Sequence, residues 1–213
     1  MNWESLFNWR GVPRLFLIGL AAAMLIGFMN VPSRASLDVA PPTAEPGDDG
    51  IPEDAERVDS GRLDSCGSDS LATEPCYYEV YRATSMVAPA GKDSASPLAA
   101  LVTKWYICGV KVYNYNGTHV GTLTNNTQTS YDPATQIKPW KLLQGYNTTW
   151  ASSGYKWSLV TGPTPTPGWN VWADTAKTRS TGRFGWVVPN TNWYTELKFG
   201  PGSGWTCRGG QYY

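Results

Sequence analysis

The chain has a single histidine, His119, and that scarcity sets the first limit on its chemistry. Nucleophilic triads need a base, most often histidine, held by partners. His119 sits just past a predicted hairpin turn, opposite in alternation to Val120, which predicts a solvent-facing strand residue. No G-x-S-x-G, H-E-x-x-H or phosphate-cradling glycine loop occurs. Nothing in the pattern asks for a cofactor. There is no C-x-x-C pair either, so with one histidine a metal site is not expected.

Long apolar runs are equally scarce. The one candidate, Leu15 to Met29, has fifteen residues, short of the roughly 20 that a spanning helix needs. Arg10 and Arg14 precede it, and Ser33-Arg34-Ala35 places small residues where a signal peptidase cuts. Residues 1–35 are therefore read as a signal peptide, with an uncleaved anchor as the alternative. Either places the remainder in a secreted or cell-surface location, touching membrane only through that segment. No cysteine follows the run, which argues against a lipid anchor, and the twin-arginine pattern is missing.

Between residues 36 and 65 aromatics are absent, while Pro, Gly, Asp, Glu and Ala abound. Such a stretch has little to bury against its ordering entropy, so it reads as a disordered acidic linker or pro-segment. The net charge of zero hides this asymmetry. Residues 38–69 carry ten acidic side chains against two basic, whereas residues 70–213 carry twelve basic against six acidic. A tethered acidic tail beside a basic domain could mask an anion-binding surface through its raised effective concentration.

In an oxidising compartment the four cysteines, Cys66, Cys76, Cys108 and Cys207, read as two disulfides. Three connectivities exist. Cys66–Cys76 closing a small loop and Cys108–Cys207 tying distant strands is the preferred one.

Residues 66–213 read as a β-rich extracellular domain. Short alternating runs recur every 8–15 residues: Tyr77–Arg82, Val102–Tyr115, Thr118–Thr124, Trp140–Tyr146, Tyr155–Val160, Trp169–Asp174, Arg183–Val188, Asn192–Phe199 and Gly204–Arg208. Turn signals separate them, including Asn116-Gly117, which suits a type I′ hairpin, and the proline-rich Thr161–Gly168. Only Ala95–Leu101 suggests a helix. The fold class is all-β: a disulfide-stapled antiparallel sandwich or barrel of about 7–9 strands.

Aromatics are the surplus. From Tyr77 to Tyr213 there are 23 Trp, Tyr and Phe residues against 19 Val, Leu and Ile. Either the core is aromatic-heavy or rings face solvent. Alternation places Trp172 and Tyr194 outward, and loop positions add Trp140, Trp150 and Trp205. Exposed ring clusters mark binding surfaces, and Asn- and Thr-rich stretches such as Thr124–Ser130 would hydrogen-bond sugar hydroxyls. The expectation is a non-catalytic module for a carbohydrate or cell-wall polymer. A secreted glycoside hydrolase using Asp174 and Glu196, which share a wet face with Trp172 and Tyr194, is the alternative. A protein-directed module, an inhibitor or adhesin presenting Thr161–Gly168, is the third reading. Nucleic acid ranks below these because the basic residues are scattered singly without a motif. Three Asn-x-Thr sequons, at Asn116, Asn125 and Asn147, fall in segments predicted as turns or loops.

Overall fold

Alternation in the sequence becomes alternation in space. A computed structural model describes residues 49–64, 66, 71–86, 101–132, 139–201 and 204–213, all within the unit Pro41–Tyr213. Its ten strands are β1 Glu56–Arg62, β2 Pro75–Met86, β3 Val102–Asn114, β4 His119–Tyr131, β5 Trp140–Ala151, β6 Tyr155–Thr166, β7 Trp172–Ala173, β8 Ala176–Trp186, β9 Thr191–Phe199 and β10 Trp205–Tyr212. Every pairing is antiparallel. The first sheet has the order β1-β2-β3-β4-β5-β7 and the second β10-β9-β8-β6. The all-β sandwich expected from the sequence is what forms, and no α-helix occurs among the described residues. No described helix is long and apolar enough to cross a membrane.

Both preferred disulfides are present, Cys66–Cys76 and Cys108–Cys207. The second joins β3 of the first sheet to β10 of the second. Two disulfides are consistent with an extracellular protein.

The interior has three layers along the strands. One apolar cluster holds Val112, Val120, Leu123, Tyr155, Phe184 and Trp193. The other holds Tyr106, Trp140, Leu142, Ala176, Leu197 and Phe199. Between them lies a buried polar belt. Asn125 donates to the carbonyl and hydroxyl of Thr178, and Thr127 donates to Asn125 Oδ1. Packing two amphipathic sheets face to face buries their apolar sides. The polar belt survives there because its amide and hydroxyls satisfy one another.

Several expectations need correction. The acidic linker was expected to run to residue 65, yet residues 49–64 are folded. Asp49 accepts the Ile51 amide and pairs with Lys111 Nζ at 2.5 Å. Ile51 is buried over Gly109, where a Cβ would lie 2.6 Å from its Cδ1. β1 then pairs with β2, with Arg57–Glu79 and Glu56–Arg82 ion pairs at 2.6 and 2.8 Å. Composition missed this because one isoleucine and a bare glycine surface suffice to seat the segment. The signal segment, residues 36–48 and residues 95–100 of the predicted helix lie outside the described residues.

The hairpin turn also differs. Gly117 alone takes positive φ, at 77°, and its N–H donates to Asn114 O. Asn114 N–H donates to Thr118 O, so the loop has three residues with glycine in the left-handed position, not a two-residue type I′ turn. Thr124–Ser130 is no exposed hydroxyl-rich stretch: it lies inside β4 and is buried throughout. The sequon at Asn125 is therefore sealed in the interior, and Asn147 lies in β5.

Candidate functional site

β2, β3, β4 and β5 present one face to the sandwich interior and the other outward. Strand alternation puts Tyr77, Glu79 and Tyr81 of β2 on the outward face, opposite Tyr113, Lys111 and Gly109 of β3. The next strands add His119 and Thr122 of β4 and Trp150 of β5. A bulge at Val112/Tyr113 brings Tyr113 opposite His119. The result is a row of rings across three strands. Tyr113 and His119 have centroids 5.5 Å apart, and His119 stacks on Trp150 at 4.7 Å.

Charged groups are fixed around this row. Glu79 Oε2 accepts from Tyr81 at 2.5 Å and Tyr113 at 2.6 Å, and Oε1 accepts from Arg57 at 2.6 Å. Burial pushes the Glu79 carboxyl up, but these three donors outweigh it and hold it below the ordinary range. Tyr113 is raised by burial first and then by the hydrogen bond to Glu79, so both groups keep the forms they show. Lys111 lies over the Tyr81 ring at 5.2 Å while pairing with Asp49.

His119 is half-buried, not the solvent-facing residue expected. Its Nε2 lies 3.2 Å from Gly121 O and 2.9 Å from Thr122 Oγ1. A carbonyl can only accept, so Nε2 carries the proton and Nδ1 faces Asp49 Oδ2 at 3.9 Å. Burial holds the imidazole below its ordinary range, Lys111 adds to that, and Asp49 opposes it. The neutral ring stacks on Trp150.

Two clefts flank the row. One, about 410 Å³, is lined by Asp49, Glu53, Tyr81, Lys111, His119 and Trp150 among others. The other, about 420 Å³, is lined by Arg62, Tyr77, Tyr78, Glu79 and Tyr113 among others. Glu79, bonded by the phenols of Tyr81 and Tyr113, joins them.

Of the ring residues singled out in the sequence, only Trp150 lies here. Trp140 is fully buried between Tyr106 and Phe199, its indole donating to Gly200 O at 2.7 Å. It is a core residue, because a strand and not a loop carries it. Trp205 packs edge-on against Tyr106 with Arg82 above it at 5.4 Å. Trp172 is exposed on the short edge strand β7, with Lys141 over its ring at 5.9 Å. Tyr194 lies on the outer face of the second sheet, stacked with Arg179 at 4.5 Å. These rings do not form one surface.

Nor do the carboxylates converge. Asp174 is exposed between β7 and β8. Glu196 lies in β9, opposite Arg179 of β8 and Arg208 of β10. Among the described residues no three His, Cys, Asp or Glu side chains could hold a metal ion.

Tyr77, Glu79, Tyr81, Lys111 and Tyr113 were the site residues the sequence reading missed. The signal was present: Tyr77-Glu79-Tyr81 and Lys111-Tyr113 are strict alternations that place rings and charges together outward. No protein-family model matches the chain, and neither curated proteins nor solved structures give a match.

Proposed function

We propose that this protein is an exported, non-catalytic binding module that takes a carbohydrate or cell-wall polymer across the outer face of its first sheet. The observation that carries this reading is the Tyr113–His119–Trp150 ring row, with clefts on both sides. Flat rings pack against the C–H faces of sugars, and pre-positioned carboxylate, ammonium and phenol groups hydrogen-bond their hydroxyls. Each of these groups is already held by a neighbour, so little ordering entropy is lost on binding.

The same fixing favours binding over hydrolysis. Glu79 is committed to three donors and Asp49 to Lys111. Glu79 is held below the ordinary carboxyl range, whereas a two-carboxylate hydrolase requires one carboxyl raised to serve as a general acid. Export rests on the N-terminal segment together with the two disulfides.

Affinity electrophoresis in gels containing soluble wall polysaccharides tests this. The native chain is retarded, Trp150→Ala loses retardation by about tenfold in affinity, in the range of one lost stacking ring, and Trp172→Ala behaves as wild type. Equal retardation of Trp150→Ala and wild type overturns the reading.

A further inference from the structure

The second sheet presents a surface of different character. Strict alternation in β8 buries Ala176, Thr178 and Ser180 and turns Lys177, Arg179, Thr181 and Arg183 outward. The register then places these beside outward residues of the neighbouring strands. One row across the sheet reads Thr166, Lys177, Lys198, Thr206. The next reads Thr164, Arg179, Glu196, Arg208. With Lys156 of β6, six basic side chains share this face with one carboxylate, Glu196, among the described residues. Cations that are isolated in the sequence are thus collected by the sheet.

We propose that this face binds an anionic polysaccharide, with its strongest subsite at the groove where Lys177 and Lys198 converge. That groove, about 410 Å³, has Thr166 and Thr175 on its walls with the two lysines, and an apolar floor that includes Pro167 and Ala176. No carboxylate is among its lining residues, and the exposed Asp174 falls between two of them, Ala173 and Thr175. Lys177 and Lys198 are direct cross-strand partners. Like charges in that position destabilise a sheet, and a sulfate or carboxylate bridging the two ammonium groups removes the repulsion. Two ammonium groups and two hydroxyls supply enough donors to surround such a group.

Periodicity extends the argument from one anion to a chain of them. Outward residues on a strand recur about every 6.7 Å and strands lie about 4.8 Å apart. Lys177, Arg179 and Arg183 along β8, with Lys198 and Arg208 beside them, form a ladder of cations. The aromatics here argue against nucleic acid. Arg179 occupies the faces of Tyr194 and Tyr212, at 4.5 and 5.3 Å, so neither ring is free as a base-stacking platform.

This surface lies on the opposite sheet from the ring row, so the two proposals fail separately. The test uses the disulfide-bonded chain and three labelled probes: dextran sulfate, uncharged dextran and single-stranded DNA, titrated at low and high salt. The expected result is binding of dextran sulfate and not of dextran, weakening as salt rises. Lys177→Gln/Lys198→Gln lowers affinity for dextran sulfate about tenfold and flattens the salt dependence. Its thermal midpoint is unchanged or higher, because the like-charge pair is gone. Lys104→Gln/Lys141→Gln, removing the same charge from the other sheet, retains binding. Equal affinity of the Lys177/Lys198 variant and wild type overturns the proposal. So does single-stranded DNA binding more tightly than dextran sulfate.

Discussion

At Glu79 three donors meet one carboxylate, and at His119 a ring is held neutral between two others. These residues make distinct predictions in pH. A free imidazole titrates near 6.5, and His119 in the fold is held below that by burial first. As pH falls below about 6.5 the unfolded chain therefore takes the proton before the folded one does. Stability declines through that window and levels off below the folded value. Urea midpoints measured from neutral to mildly acidic pH show this decline in wild type and a flatter profile in His119→Gln. Glu79 acts in a lower window. Its contribution is present above the ordinary carboxyl value and is lost as pH falls through the depressed folded value. Tyr113→Phe removes one donor and costs about 1–2 kcal/mol at neutral pH. It also shifts the Glu79 transition upward, which carboxyl-resolved NMR titration reads directly. Trp140→Ala separates a core ring from a site ring, since it leaves a cavity costing about 3–5 kcal/mol. Trp150→Ala is expected to keep the fold and to weaken polysaccharide retardation about tenfold.

Between the sheets, the buried belt and the Cys108–Cys207 crosslink bridge β3 and β4 to β8 and β10. Thr178→Val leaves the Asn125 amide and Thr127 hydroxyl short of a partner and costs about 1–3 kcal/mol. Equilibrium unfolding measures it, and a near-neutral result would mean the belt is not a satisfied network. The disulfides differ in the length of chain they close, 10 residues for Cys66–Cys76 and 99 for Cys108–Cys207. Loop-closure entropy makes the longer one worth more, about 4.7 kcal/mol against under 3. The paired alanine variants should rank accordingly in denaturant. Both pairings form the connectivity preferred among three from the even cysteine count and the position of Cys108 in a hairpin arm. Strand lengths were less legible. β4 continues through Thr124–Ser130 because Thr124, Asn125, Asn126, Thr127 and Gln128 find side-chain partners on its two faces, which polarity alone cannot reveal. β1 escaped notice because its charged residues pair with Arg82 and Glu79 of β2, contacts remote in sequence.

For the molecule as a whole, the aromatic surplus resolves into two uses. Trp140, Trp193, Phe184 and Phe199 fill the interior, while Trp105 is buried on the outer face of the first sheet beside Tyr146, so only part of the ring content is core. Another set, including Tyr81, Tyr113 and Trp150, lies on the outward face of the first sheet, where hydrogen bonds and ring contacts hold it. Alternation in β7 and β9 reveals the outward Trp172 and Tyr194, whereas Trp140 is core, and the outward rings of β2 and β3 are legible only from the alternation of Tyr77-Glu79-Tyr81 and Lys111-Tyr113. The most direct measurement is a titration of the isotope-labelled chain with a soluble wall polysaccharide, following the indole N–H resonances. The account requires the Trp150 indole to shift with saturable dependence on polymer, while those of Trp140 and Trp193 stay in place. Binding that moves other indoles and leaves Trp150 unmoved, or no response to any glycan, would contradict it.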